Sequence, residues 1–271
     1  MKVADALSIL KQNNTAEMRI LLEETLGISK TQMLTHPETE FDGEKESLLL
    51  KRIDELNAGR PLQYILGKWE FMNREFAVGE GVLIPREDTQ AVVQLALEFL
   101  EGKDNATFAD LGSGSGCIAV SLSHICRVKG YAIERSKEAY AFLRKNAEQL
   151  CGAVECILGD MFSDEVLGRL PQLELVVSNP PYITREEMKS LDKNVLCEPH
   201  EALYGGDDGL DYYRKIAGIY KSKLKEGGML CFEVGYTQAD AVLDILKSEG
   251  FHGPREKKDL SGFRRAVGAI K

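Results

Sequence analysis

The chain has 271 residues, 44% hydrophobic and 28% charged, a composition that excludes disorder as the main state and leaves room for two domains. With 34 basic and 43 acidic side chains the net charge is −9 and the pI near 5.2, which disfavours a general DNA or RNA binder. The six cysteines, at 117, 126, 151, 156, 197 and 231, form no Cys-x-x-Cys pair and read as free thiols of a cytoplasmic protein, with no metal site.

The first residues carry acid at Asp5 and lack the apolar run of a signal peptide. The longest apolar stretches, such as residues 91–100, fall short of the roughly 20 residues that span a bilayer, so no membrane is expected as a partner. Up to about residue 60, apolar side chains recur at helical spacing: Leu7 and Leu10, then Ile20, Leu21, Leu22 and Leu26, then Leu48, Leu49, Ile53 and Leu56. Gly27 and the run Asn57-Ala58-Gly59-Arg60-Pro61 end helices. A small all-helical domain is expected over residues 1–62.

From Tyr64 the period changes to two, and residues 69–72 and 75–78 flank a polar pair, Asn73-Arg74, suited to a tight turn. Residues 63–84 therefore read as a β-hairpin linker. From 85 to 271 strands and helices alternate, with strands expected at 107–111, 131–133, 154–158, 173–178 and 229–234. Such alternation means a parallel sheet with helices on both faces, an α/β fold. A helix over 238–248 precedes two further strands, one near Phe251 and one over 263–269, read as a terminal antiparallel hairpin.

Two segments carry chemistry. After the first strand of this sheet, Asp110-Leu111-Gly112-Ser113-Gly114-Ser115-Gly116 opens directly into an apolar helix. Glycines let a ligand approach the backbone, and free amides at a helix N-terminus favour an anionic group. A dinucleotide fingerprint would need glycine at 117, where the chain has Cys117; glycines at 112, 114 and 116 after an acidic residue instead resemble class-I S-adenosylmethionine (AdoMet) methyltransferases. Glu134 ends the second strand, where a carboxylate can accept both hydroxyls of a ribose.

The second segment is Asn179-Pro180-Pro181-Tyr182, delivered by the fourth strand at its carboxyl end, the edge at which open parallel sheets bind ligands. The prolines stiffen the turn and remove N–H donors. What remains is an acceptor cradle for a planar NH2 group, its hydrogens taken by the Asn179 side-chain oxygen and the Pro180 carbonyl, with Tyr182 stacked over it. Holding that nitrogen about 3–3.5 Å from a methyl group gives a near-attack geometry for transfer. His124 and His200 lack partners for a triad or metal site and read as structural or surface residues.

Along nearly its whole length the sequence resembles the HemK/PrmC family, methyltransferases that modify a glutamine side-chain amide in peptide-chain release factors. The resemblance rests on Pro61-Leu62-Gln63-Tyr64-Ile65-Leu66-Gly67, Val82-Leu83-Ile84-Pro85-Arg86, the glycine loop and Ser178-Asn179-Pro180-Pro181-Tyr182-Ile183. It continues through Glu198-Pro199, Ala202-Leu203, Gly205-Gly206, Asp208-Gly209-Leu210-Asp211 and Lys258-Asp259. Departures are Glu87-Asp88-Thr89-Gln90 where the family reads Pro-Glu-Thr-Glu, Glu134 in place of the common Asp, and Met161 where an aromatic residue often meets adenine.

The resemblance implies a seven-stranded Rossmann-like catalytic domain with a C-terminal antiparallel hairpin. It further implies a helical N-terminal domain that recognises the protein substrate, class-I release factors, and transfer from AdoMet to the glutamine of a Gly-Gly-Gln loop without a metal. S-adenosylhomocysteine would be the product. Asn179, Pro180 and Tyr182 would be catalytic, Pro181 would join them in holding substrate, and Gly112, Ser113, Gly114, Ser115, Gly116, Glu134, Met161 and Asn179 would hold the cofactor. The rivals are amino-methylation of DNA, RNA or another protein, and a non-catalytic AdoMet-binding assembly factor. Direct nucleic-acid binding is not expected of so acidic a chain.

Overall fold

The structure is a computed structural model that describes residues 1–12, 15–150 and 153–271, the side chains of residues 10–12 and 193–194 excepted. Cys151 and the Leu10 side chain, both singled out above, lie outside the described residues. The backbone divides into two units, Met1–Lys68 and Trp69–Lys271.

The first unit is helical: α1 Val3–Gln12, α2 Ala16–Leu26, α3 Lys30–Thr35, α4 Gly43–Asn57 and α5 Leu62–Leu66. Its helix ends follow from local chemistry. Thr15 caps α2 by accepting from the Met18 amide at 3.1 Å, Ser29 and Gln32 form a capping box on α3, and Asp42 caps α4. Val3, Ala6, Leu21, Leu22, Met33 and Leu49 are fully buried. Two expectations need correction. Leu48 lies on the solvent side of α4, 42% exposed, because Leu49 and Ile53 take the inward positions. Residues from Tyr64 to Leu66 are helical: Pro61 precedes the first turn of α5 with φ fixed at −54°, and Gly67 ends it in the left-handed region, so period two begins only at Lys68.

A hairpin follows, β1 Lys68–Phe71 and β2 Arg74–Ala77. Its turn falls at Met72 and Asn73, both at positive φ, one residue earlier than the polar pair Asn73-Arg74 suggests. A one-residue slip would turn every side chain to the opposite face. The observed register buries Phe71 and Phe76, which meet edge to face at 6.2 Å, and that burial outweighs the conformational cost at Met72.

Seven strands follow: β3 Thr107–Leu111, β4 Lys129–Glu134, β5 Val154–Leu158, β6 Leu173–Ser178, β7 Leu224–Glu233, β8 His252–Lys258 and β9 Arg264–Ile270. They lie in the order β5-β4-β3-β6-β7-β9-β8; β3 to β7 pair in parallel, β9 joins antiparallel to β7, and β8 antiparallel to β9. The helices that accompany them are α6 Gln90–Leu100, before β3, and then α7 Cys117–Cys126, α8 Lys137–Leu150, α9 Asp164–Arg169, α10 Lys193–Leu196, α11 His200–Leu203, α12 Asp211–Tyr220 and α13 Ala239–Ser248. Strand alternation feeds two cores. Leu175, Val177, Met229 and Cys231 face α6 and α7, whereas Val176, Leu230 and Phe232 face α12 and α13. Because both faces are covered, the central strands read as unbroken apolar runs. Among the described residues no helix is long and apolar enough to cross a membrane, and no disulfide joins Cys117, Cys126, Cys156, Cys197 or Cys231.

The strand order reverses beside β3, whose neighbours are β4 and β6. Leu111 pairs with Ile133 on one side and with Ser178 on the other, so the segments that follow β3, β4 and β6 emerge together at one sheet edge. That crevice is the usual ligand site of open α/β sheets.

Candidate active site

The loop after β3 is held mainly by bonds to the end of β4. The Gly112 and Ser113 amides both donate to the Ile133 carbonyl at 2.9 Å, and the Gly116 amide donates to the Ser113 carbonyl at 2.7 Å. The Gly114 amide donates to Glu134 Oε2 at 2.9 Å. Four of the amides that the glycine pattern offered to an anion thus fix the loop's shape. Gly116 has φ +82°, and a Cβ there would lie 2.7 Å from Leu143 Cδ1, so the loop can close over α8 only with glycine at this position.

Glu134 is 8% exposed, and its second oxygen accepts from the Ser136 amide at 2.8 Å. Each carboxylate oxygen keeps a further lone pair, enough to accept one hydroxyl each from a vicinal diol. Beneath the loop, Asp110 accepts from the Ala119 amide at 3.2 Å, while its Oδ1 is buried without a hydrogen-bond partner. Burial pushes the Asp110 carboxyl up to about 7.

A cavity of about 190 Å³ joins these groups. Gly112, Ser113, Gly114, Ser115, Glu134, Met161, Asn179 and Pro181 all line it, so the structure brings most of the sequence-derived site together. Gly116, Pro180 and Tyr182 are outside its wall. Gly116 packs beneath the loop, Pro180 is buried, and the Tyr182 hydroxyl turns inward to Glu233 Oε1 at 3.5 Å. Met161 is 8% exposed, and its carbonyl accepts from the Tyr220 hydroxyl at 2.6 Å. The neighbouring aromatic, Phe162, faces Tyr212 at 6.1 Å, and Tyr212 lines the cavity. Apolar Ile118 and Met161 on the wall, with the Glu134 acceptor beside them, fit a nucleoside: a flat base against the former and its sugar hydroxyls on the latter. His124 and His200 are exposed.

The tetrapeptide is braced from several sides. Ser178 donates to the Leu111 carbonyl at 2.7 Å, and Gln238 donates to the Tyr182 carbonyl at 3.0 Å. The Ile183 amide donates to the Leu203 carbonyl, and the Gly205 amide to the Ile183 carbonyl, each at 2.9 Å. A Cβ on Gly205 would stand 2.5 Å from the Pro181 carbonyl oxygen, so the 203–209 segment lies directly on the turn. Asn179 Nδ2 donates to Thr89 Oγ1 at 3.4 Å, which leaves its Oδ1 as an acceptor.

Sequence reasoning missed several residues of this frame. Asn146 is buried in α8 and links three backbone groups: its Nδ2 donates to the Ala77 and Ser115 carbonyls and its Oδ1 accepts from the Ala77 amide at 2.7 Å. An asparagine among the inward positions Leu143 and Ala147 was the available signal. Glu198 is 5% exposed, pairs with Arg86 and accepts from the Ile84 amide at 3.1 Å. Burial raises its carboxyl despite the opposing pull of Arg86. Both belong to quoted motifs, but their pairing spans more than a hundred positions and leaves no local trace. Glu233, 1% exposed, was hidden at the end of an apolar strand, where Glu134 stands on β4.

Residues 3–67 match the family described as the PrmC N-terminal domain, and residues 87–207 match the methyltransferase small domain. A release factor glutamine methyltransferase of Bordetella pertussis is 36% identical over 93% of this chain and 93% of its own length. One of Clostridium acetobutylicum is 35% identical over 100% of this chain and 99% of its own. The chain belongs to the release factor glutamine methyltransferase family. Members of this family from Moorella thermoacetica and other bacteria match over similar lengths, the former at 37% identity across 94% of this chain and 90% of its own. Among solved structures, a methyltransferase from Pyrococcus furiosus covers 85% of this chain and 99% of its own, with a TM-score of 0.53 and 14% identity. The hMettl16 catalytic domain, solved with a MAT2A 3′UTR hairpin, covers 88% of this chain and 85% of its own, with a TM-score of 0.58 and 14% identity. Together with the strand order these establish the fold of this release factor glutamine methyltransferase family member as that of class-I AdoMet-dependent methyltransferases, with a helical PrmC domain before it.

Proposed function

We propose that this protein transfers a methyl group from AdoMet to the side-chain amide nitrogen of the glutamine in the Gly-Gly-Gln motif of class-I peptide chain release factors, and so supports translation termination in the cytoplasm. The observation that carries the reading is the placement of Asn179-Pro180-Pro181-Tyr182 beside the Gly112–Gly116 loop, at the ends of paired strands, in a chain that shares its family over its whole length.

Gly112, Ser113, Gly114 and Ser115 would shape the cofactor site, Glu134 would accept its ribose hydroxyls, and Met161 would pack on its base. When bound, AdoMet supplies an electrophilic methyl group on a sulfonium that leaves as a neutral thioether. Asn179 Oδ1 and the Pro180 carbonyl accept the two amide hydrogens of the glutamine and add electron density to a nitrogen whose lone pair is delocalised. Their fixed placement aims that lone pair across a short gap. Transfer would form the nitrogen–methyl bond as the sulfur–methyl bond breaks, and the one proton lost from the nitrogen would pass to solvent water. Tyr182 backs the cradle, and the helical unit recognises the release factor.

Labelled-methyl transfer to a purified release factor, compared with the same factor carrying Ala at the motif glutamine, tests this. Label on the first alone is expected; equal label on both would contradict the assignment.

A further inference from the structure

The sheet order sets how a long ligand lies along the cavity. Asn179 follows β6 and Glu134 ends β4, with the glycine loop after β3 between them. A cofactor whose methyl group meets Asn179 and whose ribose meets Glu134 therefore runs away from β6, and its base reaches the end of the next strand, β5. Glu134 pairs there with Leu158, and the Gly159 amide donates to the Glu134 carbonyl at 2.9 Å. Asp160 and Met161 follow directly, and both line the cavity.

Tyr212, half-buried in the first turn of α12, is the only aromatic residue on the cavity wall among the described residues. Helix α12 is tied near both its ends to the segment after β5. The Tyr220 hydroxyl donates to the Met161 carbonyl at 2.6 Å, and the Tyr212 ring stands 6.1 Å from the Phe162 ring at an angle of 36°. Lys215, three residues on from Tyr212, sets its ammonium 3.9 Å from the centre of the same Phe162 ring. Phe162 and Tyr212 both pack against the core on that face of the sheet, and the Asp211 amide just ahead donates to the Gly205 carbonyl at 3.2 Å. Tyr212 is thus held in place beside Met161, next to the end of the cavity where the base arrives.

A purine has two flat faces, and an aromatic ring laid against one of them adds offset stacking to the gain from removing apolar area from water. Ile118 and Met161 offer aliphatic and thioether surface, which moulds itself to a ring but does not stack. We infer that Tyr212 is the residue on which the adenine of the cofactor stacks, supplied by a helix that belongs to neither the glycine loop nor the strand ends. This inference rests on the methyl-transfer reading above, which sets the methyl group at Asn179 and the ribose at Glu134.

The test uses the full-length protein titrated with S-adenosylhomocysteine by calorimetry. Tyr212→Leu keeps apolar bulk and removes the aromatic face; it is expected to weaken binding about tenfold, within the range for one base–aromatic stack. Tyr212→Phe keeps the ring and is expected to bind within about twofold of the parent. Fluorescence supplies a readout that a merely structural role would not move. Trp69 is the only tryptophan of the chain, so Tyr212→Trp combined with Trp69→Phe leaves a single indole at the proposed contact. Its emission is expected to fall when S-adenosylhomocysteine is added and to stay unchanged with homocysteine, which has no base. Parent-like affinity in Tyr212→Leu, a loss in Tyr212→Phe as large as in Tyr212→Leu, or an indole left unquenched would overturn the contact. A parent that binds S-adenosylhomocysteine but labels no release factor would overturn the glutamine assignment alone, whereas a parent that binds no S-adenosylhomocysteine would overturn both.

Discussion

Glu134 accepts the Gly114 and Ser136 amides and lines the cavity. Glu134→Ala is therefore expected to weaken AdoMet binding by about 1.5–3 kcal/mol, the usual range for a lost hydrogen bond to a charged group. Calorimetry would check it, and unchanged affinity would exclude the ribose role. Glu233 makes a different prediction, on stability. Burial raises its carboxyl from the ordinary 4.5 to about 7, so the folded state holds a proton that the unfolded chain releases between those values. Its contribution is fully present below about 4.5 and is lost as pH rises through about 7. Glu233→Gln lacks this dependence. The parent's melting temperature relative to that variant should rise between about pH 8 and about pH 5, and a difference that stays flat would show that the carboxyl is not so perturbed.

The elements that carry the site were legible where their signal is local. The glycine loop announces itself because strand, glycines and helix start coincide in nine residues, and Asn179-Pro180-Pro181-Tyr182 because two prolines after an apolar strand have few other uses. The hairpin register was not legible. Its turn runs through Met72 at φ +49°, a choice imposed by burying Phe71 and Phe76 and invisible to turn propensities. Nor were Asn146 and Glu198, whose partners lie 69 and 114 positions away. The segment after Ala202, which carries the Gly205-Gly206 pair of the family resemblance, forms the bed of the tetrapeptide, a role that no local pattern announces. Gly205→Ala places a Cβ 2.5 Å from the Pro181 carbonyl oxygen and 2.6 Å from Tyr182 Cα, both backbone atoms that cannot swing aside. It is expected to reduce methyl transfer at least tenfold while cofactor affinity, set by the β3 and β4 loops, changes little. Parent-like turnover in this variant would mean that the tetrapeptide tolerates displacement.

Residues 1–68 bury their own apolar helices, and the cavity is lined entirely by residues of Trp69–Lys271. Removing residues 1–68 is expected to leave AdoMet binding nearly intact, to lower methylation of a whole release factor sharply, and to affect a short glutamine peptide less. Equal losses on protein and peptide would show that the helices support the fold and do not select the substrate. The sheet order, with its reversal beside β3, brings Glu134, the glycine loop and Asn179 to one edge although they are spread over nearly seventy positions. That gathering was foreseeable from alternating strands and helices; the buried polar frame behind it was not, because it joins single residues from elements far apart in the chain.

The claim on which all of this depends is that the Asn179 side chain aims a glutamine amide at a methyl donor. Asn179 sits at a strand end, outside the sheet's hydrogen-bond ladder, so Asn179→Ala should fold and bind AdoMet as the parent does. Turnover of the Gly-Gly-Gln glutamine by that variant, shown folded and saturated with AdoMet and with the methyl group located on the amide nitrogen by mass spectrometry, is the direct measurement. The account predicts a fall on the order of 10²–10³-fold, with partial activity in Asn179→Asp, which keeps an acceptor oxygen. Methylation by Asn179→Ala at near the parent rate would contradict it.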